Sequence, residues 1–147
     1  MYKNILRIVD ANFNRSREGL RVCEEIARFV LNSRQLTDEC KSVRHGITSV
    51  VKDLASRGLN LSQYRDVEGD VGKCSAIRSE MSRISYADIF AANAERVKES
   101  LRVLEEFLKI IDKDRSPSCS RLRFRVYAIE KKAMKKLVSF SDANRKN

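Results

Sequence analysis

Starting from Ile5, apolar side chains recur at Val9, Phe13, Leu20, Cys23, Ala27 and Val30, at steps of three, four or seven residues. That spacing keeps them on one side of a helix with about 3.6 residues per turn. Phe90, Val97, Leu101, Leu104, Leu108 and Ile111 repeat the pattern further along the chain. The boundaries carry their own signals. Ser85-x-x-Asp88 has the form of a capping box, Ser116-Pro117 places an N-cap residue before a proline at the first helical position, and Gly58 stands where a helix should stop. The spacing predicts helices at 3–32, 36–57, 85–112 and 117–139.

An internal repeat orders these helices. Residues 11–25 read ANFNRSREGLRVCEE and residues 92–106 read ANAERVKESLRVLEE, with nine of fifteen positions identical at a constant offset of 81. At the same offset Arg44 falls on Arg125. Short turns within each copy force antiparallel neighbours. Two duplicated helical hairpins, 3–57 and 85–139, are therefore expected to stack into an all-α four-helix bundle with pseudo-twofold symmetry. A connector, 58–84, joins them. The reading is one helical domain, 1–139, followed by a basic tail, 140–147.

Composition narrows the class. A chain of 147 residues is long enough for one real core, and a single proline with five glycines argues against a many-turned β architecture. No apolar run approaches the roughly 20 residues of a membrane span, and Met1-Tyr-Lys-Asn opens no signal-peptide core. A soluble, cytoplasmic protein with no membrane partner is expected. Cys23, Cys40, Cys74 and Cys119 are widely spaced without a C-x-x-C pair, and His45 is the lone histidine. That pattern speaks for ordinary reduced cysteines, two of them facing the core, against a disulfide framework or a zinc site. The net charge of +10 is concentrated at the end: residues 131–147 hold six Lys/Arg and one Asp, leaving +5 on the body, where signs alternate. This distribution suits a solubilising tail better than a nucleic-acid interface.

Several polar residues sit where apolar ones are expected. Asn12 and Asn93 fall inside the apolar stripes of the two copies, either fixing helix register or lining a polar cleft. Arg15 and Glu18, with Glu25 two turns on, flank the first stripe, and Arg96, Glu99 and Glu106 repeat them. They make either surface salt bridges or a cluster converging at the junction between hairpins, with Arg44 and Arg125 pointing into the same space. Arginine forks suit phosphate oxygens, and carboxylates suit Mg2+. The connector reads Arg65-Asp-Val-Glu-Gly-Asp-Val-Gly-Lys73, with Asp66, Glu68 and Asp70 between apolar residues and glycines. It matches neither an EF-hand nor a P-loop, and is either a plain exposed turn or a functional loop. His45 is either structural or a general base. No G-x-S-x-G, H-E-x-x-H, G-x-G-x-x-G or H-R-D signature occurs. Ile89 and Phe124 lie outside the main stripes, where they make a homodimer face or pack within the monomer.

The segments RIVDANFNRSREGLRVCEEIARF, DVEGDVG and ANAERVKESLRVLEE together resemble one family. It is the small monofunctional hydroxymethylpyrimidine phosphate kinase of bacterial thiamine biosynthesis, found alone or fused ahead of thiamine phosphate synthase. The resemblance covers residues 4–135, and Cys23 departs from it where a large aliphatic residue is expected. It implies phosphorylation of 4-amino-2-methyl-5-hydroxymethylpyrimidine phosphate to the diphosphate by Mg-ATP. Phosphoryl transfer needs charge neutralisation more than covalent chemistry. On that expectation Arg15 and Arg96, with Asp66 or His45 orienting the acceptor, are catalytic. Arg44 and Arg125 hold substrate phosphates, Asn12 and Asn93 bond the pyrimidine or a phosphate, and Glu18, Glu99 and Asp70 hold Mg2+. The competing readings are an accessory module that binds the pyrimidine phosphate for thiamine phosphate synthase, and a basic dimerisation or nucleic-acid-binding bundle.

Overall fold

The computed structural model describes residues 2–66, 68–71 and 83–144, apart from the side chains of 142–144. Val67, residues 72–82 of the connector, with Gly72 and Cys74 among them, and the last three residues of the tail lie outside the described residues. Four long helices carry the fold: α1 (Tyr2–Glu25), α2 (Arg34–Ser56), α3 (Tyr86–Ile111) and α4 (Ser116–Asn144). A π-helical turn, Ile26–Val30, extends α1, and a 3-10 turn, Leu61–Tyr64, follows α2. The described residues contain no strand. Helix α4 continues through Asn144, so the tail begins as helix rather than coil.

Each helix ends for a local reason. Ser85 and Asp88 close the expected capping box, the Asp88 N–H donating to Ser85 Oγ at 3.1 Å and the Ser85 N–H to Asp88 Oδ2 at 3.0 Å. Gly58 takes φ of +84°, and its N–H and that of Leu59 reach back to Ala55 O (3.0 Å) and Leu54 O (3.1 Å). That is a Schellman stop. Asn32, at φ of +45°, turns the first hairpin, and Ser33 caps α2. Ser116 differs from expectation. Its hydroxyl donates to the Glu105 carbonyl at 2.8 Å, so it ties the start of α4 to α3.

Helix α1 packs on α2 and α3, and α4 packs on α3 and α2, so the equivalent helices α1 and α3 lie side by side. This is the expected all-α bundle of two hairpins. Leu6, Val9, Leu20 and Ala27 from α1 meet Phe90, Val97, Leu101 and Leu108 from α3, with Leu36, Val43, Ile47 and Leu54 of α2 and Val126, Ile129, Ala133 and Leu137 of α4 completing the core. Midway along α1 the buried stripe narrows to Asn12, Ser16 and Gly19. A Cβ on Gly19 would lie 2.8 Å from Val97 Cγ2 and 2.9 Å from the Asn93 carbonyl oxygen, so glycine is what admits α3 this closely. Cys23, Cys40 and Cys119 are free and buried. Burial pushes the Cys40 and Cys119 thiols up to about 12, and Cys23 upward as well. No helix is long and apolar enough to cross a membrane among the described residues.

Candidate functional site

One face of α1 supplies most of the main cleft. Asn4, Arg7, Ile8, Ala11, Asn14, Arg15 and Glu18 recur every three or four residues and so line one side of the helix. The chain leaving the 3-10 turn folds back over them and brings Arg65, Asp66 and Asp70 to the same space, which measures about 680 Å³. Asp10 and Asn12 border it from the buried side.

Two ion pairs hold the covering segment down. Arg65 grips Asp10 with both arms of its fork, Nε to Oδ2 at 2.7 Å and Nη2 to Oδ1 at 2.8 Å. These bonds, and then the charge of Asp10, raise the Arg65 pKa above its ordinary value. Arg7 approaches Asp66 at 3.3 Å, and Asp66 in turn accepts the Gly69 N–H at 2.9 Å, shaping a tight turn. A Cβ on Gly69 would lie 2.6 Å from Asp66 Oδ2, so a side chain there would push the Asp66 carboxylate aside. Asp66 is thus a structural acceptor within the loop.

With those pairs neutralised, Arg15 and Glu18 set the character of the cleft. Arg15 and Glu18 are exposed, and neither makes an ion pair or hydrogen bond among the described residues. Asn12 is 7% exposed and donates its amide to Ile8 O at 2.9 Å, which satisfies the donor locally. Asn93 does the same to Ile89 O at 2.8 Å in the second copy. The arrangement offers an arginine fork to an anion and a carboxylate to an N–H donor, within one cleft.

The two copies do not meet in one site. Asn12, Arg15, Glu18, Asp66 and Asp70 come together as expected, whereas Asn93, Arg96 and Glu99 of α3 are absent from the cleft lining. Close packing of α1 on α3 through Gly19 fills the junction at which they were to converge. Arg44 is engaged elsewhere: its Nε donates to Glu24 Oε2 at 3.0 Å, and the Glu24 side chain is 2% exposed. Arg125 bonds Ser42 Oγ at 2.9 Å and borders a separate cleft between α2 and α4. His45 is exposed on α2, outside both clefts. Of the three carboxylates expected to hold Mg2+, Glu18 and Asp70 line the first cleft and Glu99 of α3 does not; no group of three or more His, Cys, Asp or Glu side chains placed to hold a metal occurs among the described residues. Ile89 packs on the monomer core, while Phe124 stays exposed beside Tyr127.

Sequence reasoning missed Asp10, Arg65, Arg7, Asn4 and Asn14. A signal was present: at the offset of 81, Arg7, Asp10 and Asn14 fall on Asp88, Ala91 and Glu95. These three differ between the copies, whereas Asn12, Arg15 and Glu18 of the same cleft are repeated as Asn93, Arg96 and Glu99. Glu24 and Glu105 were missed for the opposite reason, being identical in both copies and each paired with an arginine from the partner helix, Arg44 and Arg123.

The fold and site define an all-α bundle with a mixed-charge polar cleft on its first hairpin. Matching over residues 7–132, the chain belongs to the ThiD2 family. Its relatives include proteins named thiamine-phosphate synthase from Synechocystis sp., 43% identical over 126 residues, and from Nostoc sp., 40% identical over 130 residues. These alignments cover 86% and 88% of this chain and 35% of each relative. The thiamine-phosphate synthase of Rhodopirellula baltica is 37% identical over 147 residues, covering 98% of this chain and 38% of its own length. The chain therefore spans a little over a third of the relatives it matches. No solved structure matches it. The resemblance drawn from the sequence holds for a domain shared with thiamine-phosphate synthase and is corrected as to activity. These relatives bear the name of the synthase, a different enzyme from a hydroxymethylpyrimidine phosphate kinase.

Proposed function

We propose that this chain is a ligand-binding helical domain of thiamine biosynthesis, serving a thiamine-phosphate synthase by holding a small phosphorylated amino-heterocycle. The observation that carries this reading is the placement of the uncommitted Arg15 and Glu18 beside Asn12, in a cleft whose other arginines, Arg7 and Arg65, already have carboxylate partners. Arg15 suits the phosphate, and Glu18 suits an amino or ring N–H donor. The family membership and the name shared by the relatives supply the pathway. Hydroxymethylpyrimidine phosphate has this combination of groups.

Calorimetry with hydroxymethylpyrimidine phosphate, and with the unphosphorylated alcohol as control, tests the reading. The phosphate should bind at least about tenfold tighter than the alcohol, a difference of about 1.4 kcal/mol. Arg15→Ala should remove that preference while leaving the thermal midpoint unchanged. Equal binding of phosphate and alcohol, or no binding of either, overturns it.

A further inference from the structure

A second cleft of about 350 Å³ opens between α2 and the first turns of α4. Gly46, Val50 and Leu122 form its apolar floor, and a Cβ on Gly46 would lie 2.7 Å from Leu122 Cδ2. A side chain at Gly46 would displace the end of Leu122 from the floor. Arg115, Arg121, Arg125, Ser49 and Ser118 form its walls, with no carboxylate among the lining residues. The first cleft, by contrast, sets three arginines against four carboxylates.

The three arginines are not equivalent. Arg115 is held by Asp53 at 2.6 Å, with Asp112 at 4.0 Å. Arg121 and Arg125 hydrogen-bond only hydroxyls among the described residues, Ser118 Oγ and Ser42 Oγ, both at 2.9 Å. Glu39 of α2 lies within electrostatic range of Arg125. It already accepts two bonds from Lys132 (2.8 and 3.0 Å) and one from Gln35 (3.0 Å). Two guanidinium forks one helical turn apart, about 6 Å along the axis, thus border a cleft whose lining offers them hydroxyls and no carboxylate.

We infer that this α2–α4 cleft is a second ligand site, selective for a diphosphate group, in which Arg121 and Arg125 each take one phosphoryl unit. Ser49 and Ser118 border the same space as additional donors. A diphosphate spans successive turns of α4 and presents acceptors to both forks, whereas a carboxylate satisfies one. The site stands independently of the ligand assigned to the first cleft.

Titrating the 15N-labelled chain with inorganic diphosphate at 150 mM KCl reads both clefts at once. Amide shifts should concentrate at Ser49, Ser118, Arg121 and Arg125. An Arg121→Ala/Arg125→Ala double variant should lose at least tenfold in affinity, and Arg15→Ala should change it less than twofold. Both substituted side chains are exposed, and an unchanged circular dichroism melt shows that the variant folds. Shifts confined to Asn12 and Arg15, no saturable binding below 10 mM, or an equal loss in a Lys131→Ala/Lys135→Ala control each overturn the inference.

Discussion

Arg44 and Arg15 show how differently two arginines of one hairpin are employed. Both sit beside the core, and both were candidates for phosphate. Arg44 is 17% exposed and neutralises Glu24, a carboxylate buried among apolar side chains, with Arg21 adding a weaker contact at 3.3 Å. Removing one partner of such a pair leaves a buried charge without adequate compensation. Arg44→Ala is therefore expected to lower stability by about 3 kcal/mol in urea or guanidinium unfolding, with ligand affinity little changed once folded. Arg15→Ala should do the reverse. The wheel positions of both arginines were legible in the sequence, but the identity of their partners was not. Which carboxylate an arginine meets depends on distances between helices, and Glu24 on α1 reaches Arg44 only because α2 folds back beside it.

At the scale of the element, local rules acted as written. The Ser85 cap and the Gly58 stop were readable because capping uses side chains three or four residues away. Hydrogen bonds from Ser85, then from the Ile84 N–H, hold the Asp88 carboxyl below its ordinary value of 3.8. Since the folded value is the lower one, the stabilisation is fully present above the unfolded value and is lost as pH falls through the folded value. Ser85→Ala should cost about 1 kcal/mol at pH 7, and the cost should shrink below pH 4 in thermal melts as Asp88 protonates. A pH-independent cost would show that the cap works through Ser85 alone. Ser116 shows where such rules stop. Its position before Pro117 reads as a cap, yet the backbone carbonyl of Glu105 on α3 lies within reach and accepts the hydroxyl's hydrogen bond.

For the whole molecule, the decisive feature is the segment that crosses from α2 back to α1. Arg65 and Asp66 pin it over the α1 face, and without them the cleft has no second wall. Arg65→Ala should expose this segment to limited proteolysis near residues 58–71. It should also cost about 1–3 kcal/mol, because Asp10, 5% exposed, loses its main hydrogen-bond donor. Unchanged cleavage kinetics would show that the segment is held by Leu61 and the 3-10 turn instead.

What the sequence determined by itself was everything governed by neighbours along a helix: four helices, their starts and stops, the duplication, and the stripes that make an all-α bundle. These follow from a 3.6-residue period and from short-range hydrogen bonds. Half of the candidate cleft, Asn12, Arg15, Glu18, Asp66 and Asp70, was also legible, because polar residues beside an apolar stripe stand out. Only the tertiary structure decided that the copies do not share a site, that Arg44 serves Glu24, and that Asp10 and Arg65 close the cleft. Those outcomes turn on the close α1–α3 approach at Gly19 and on one crossing segment that packs against α1. Both are contacts between residues far apart in the chain, which no periodicity encodes.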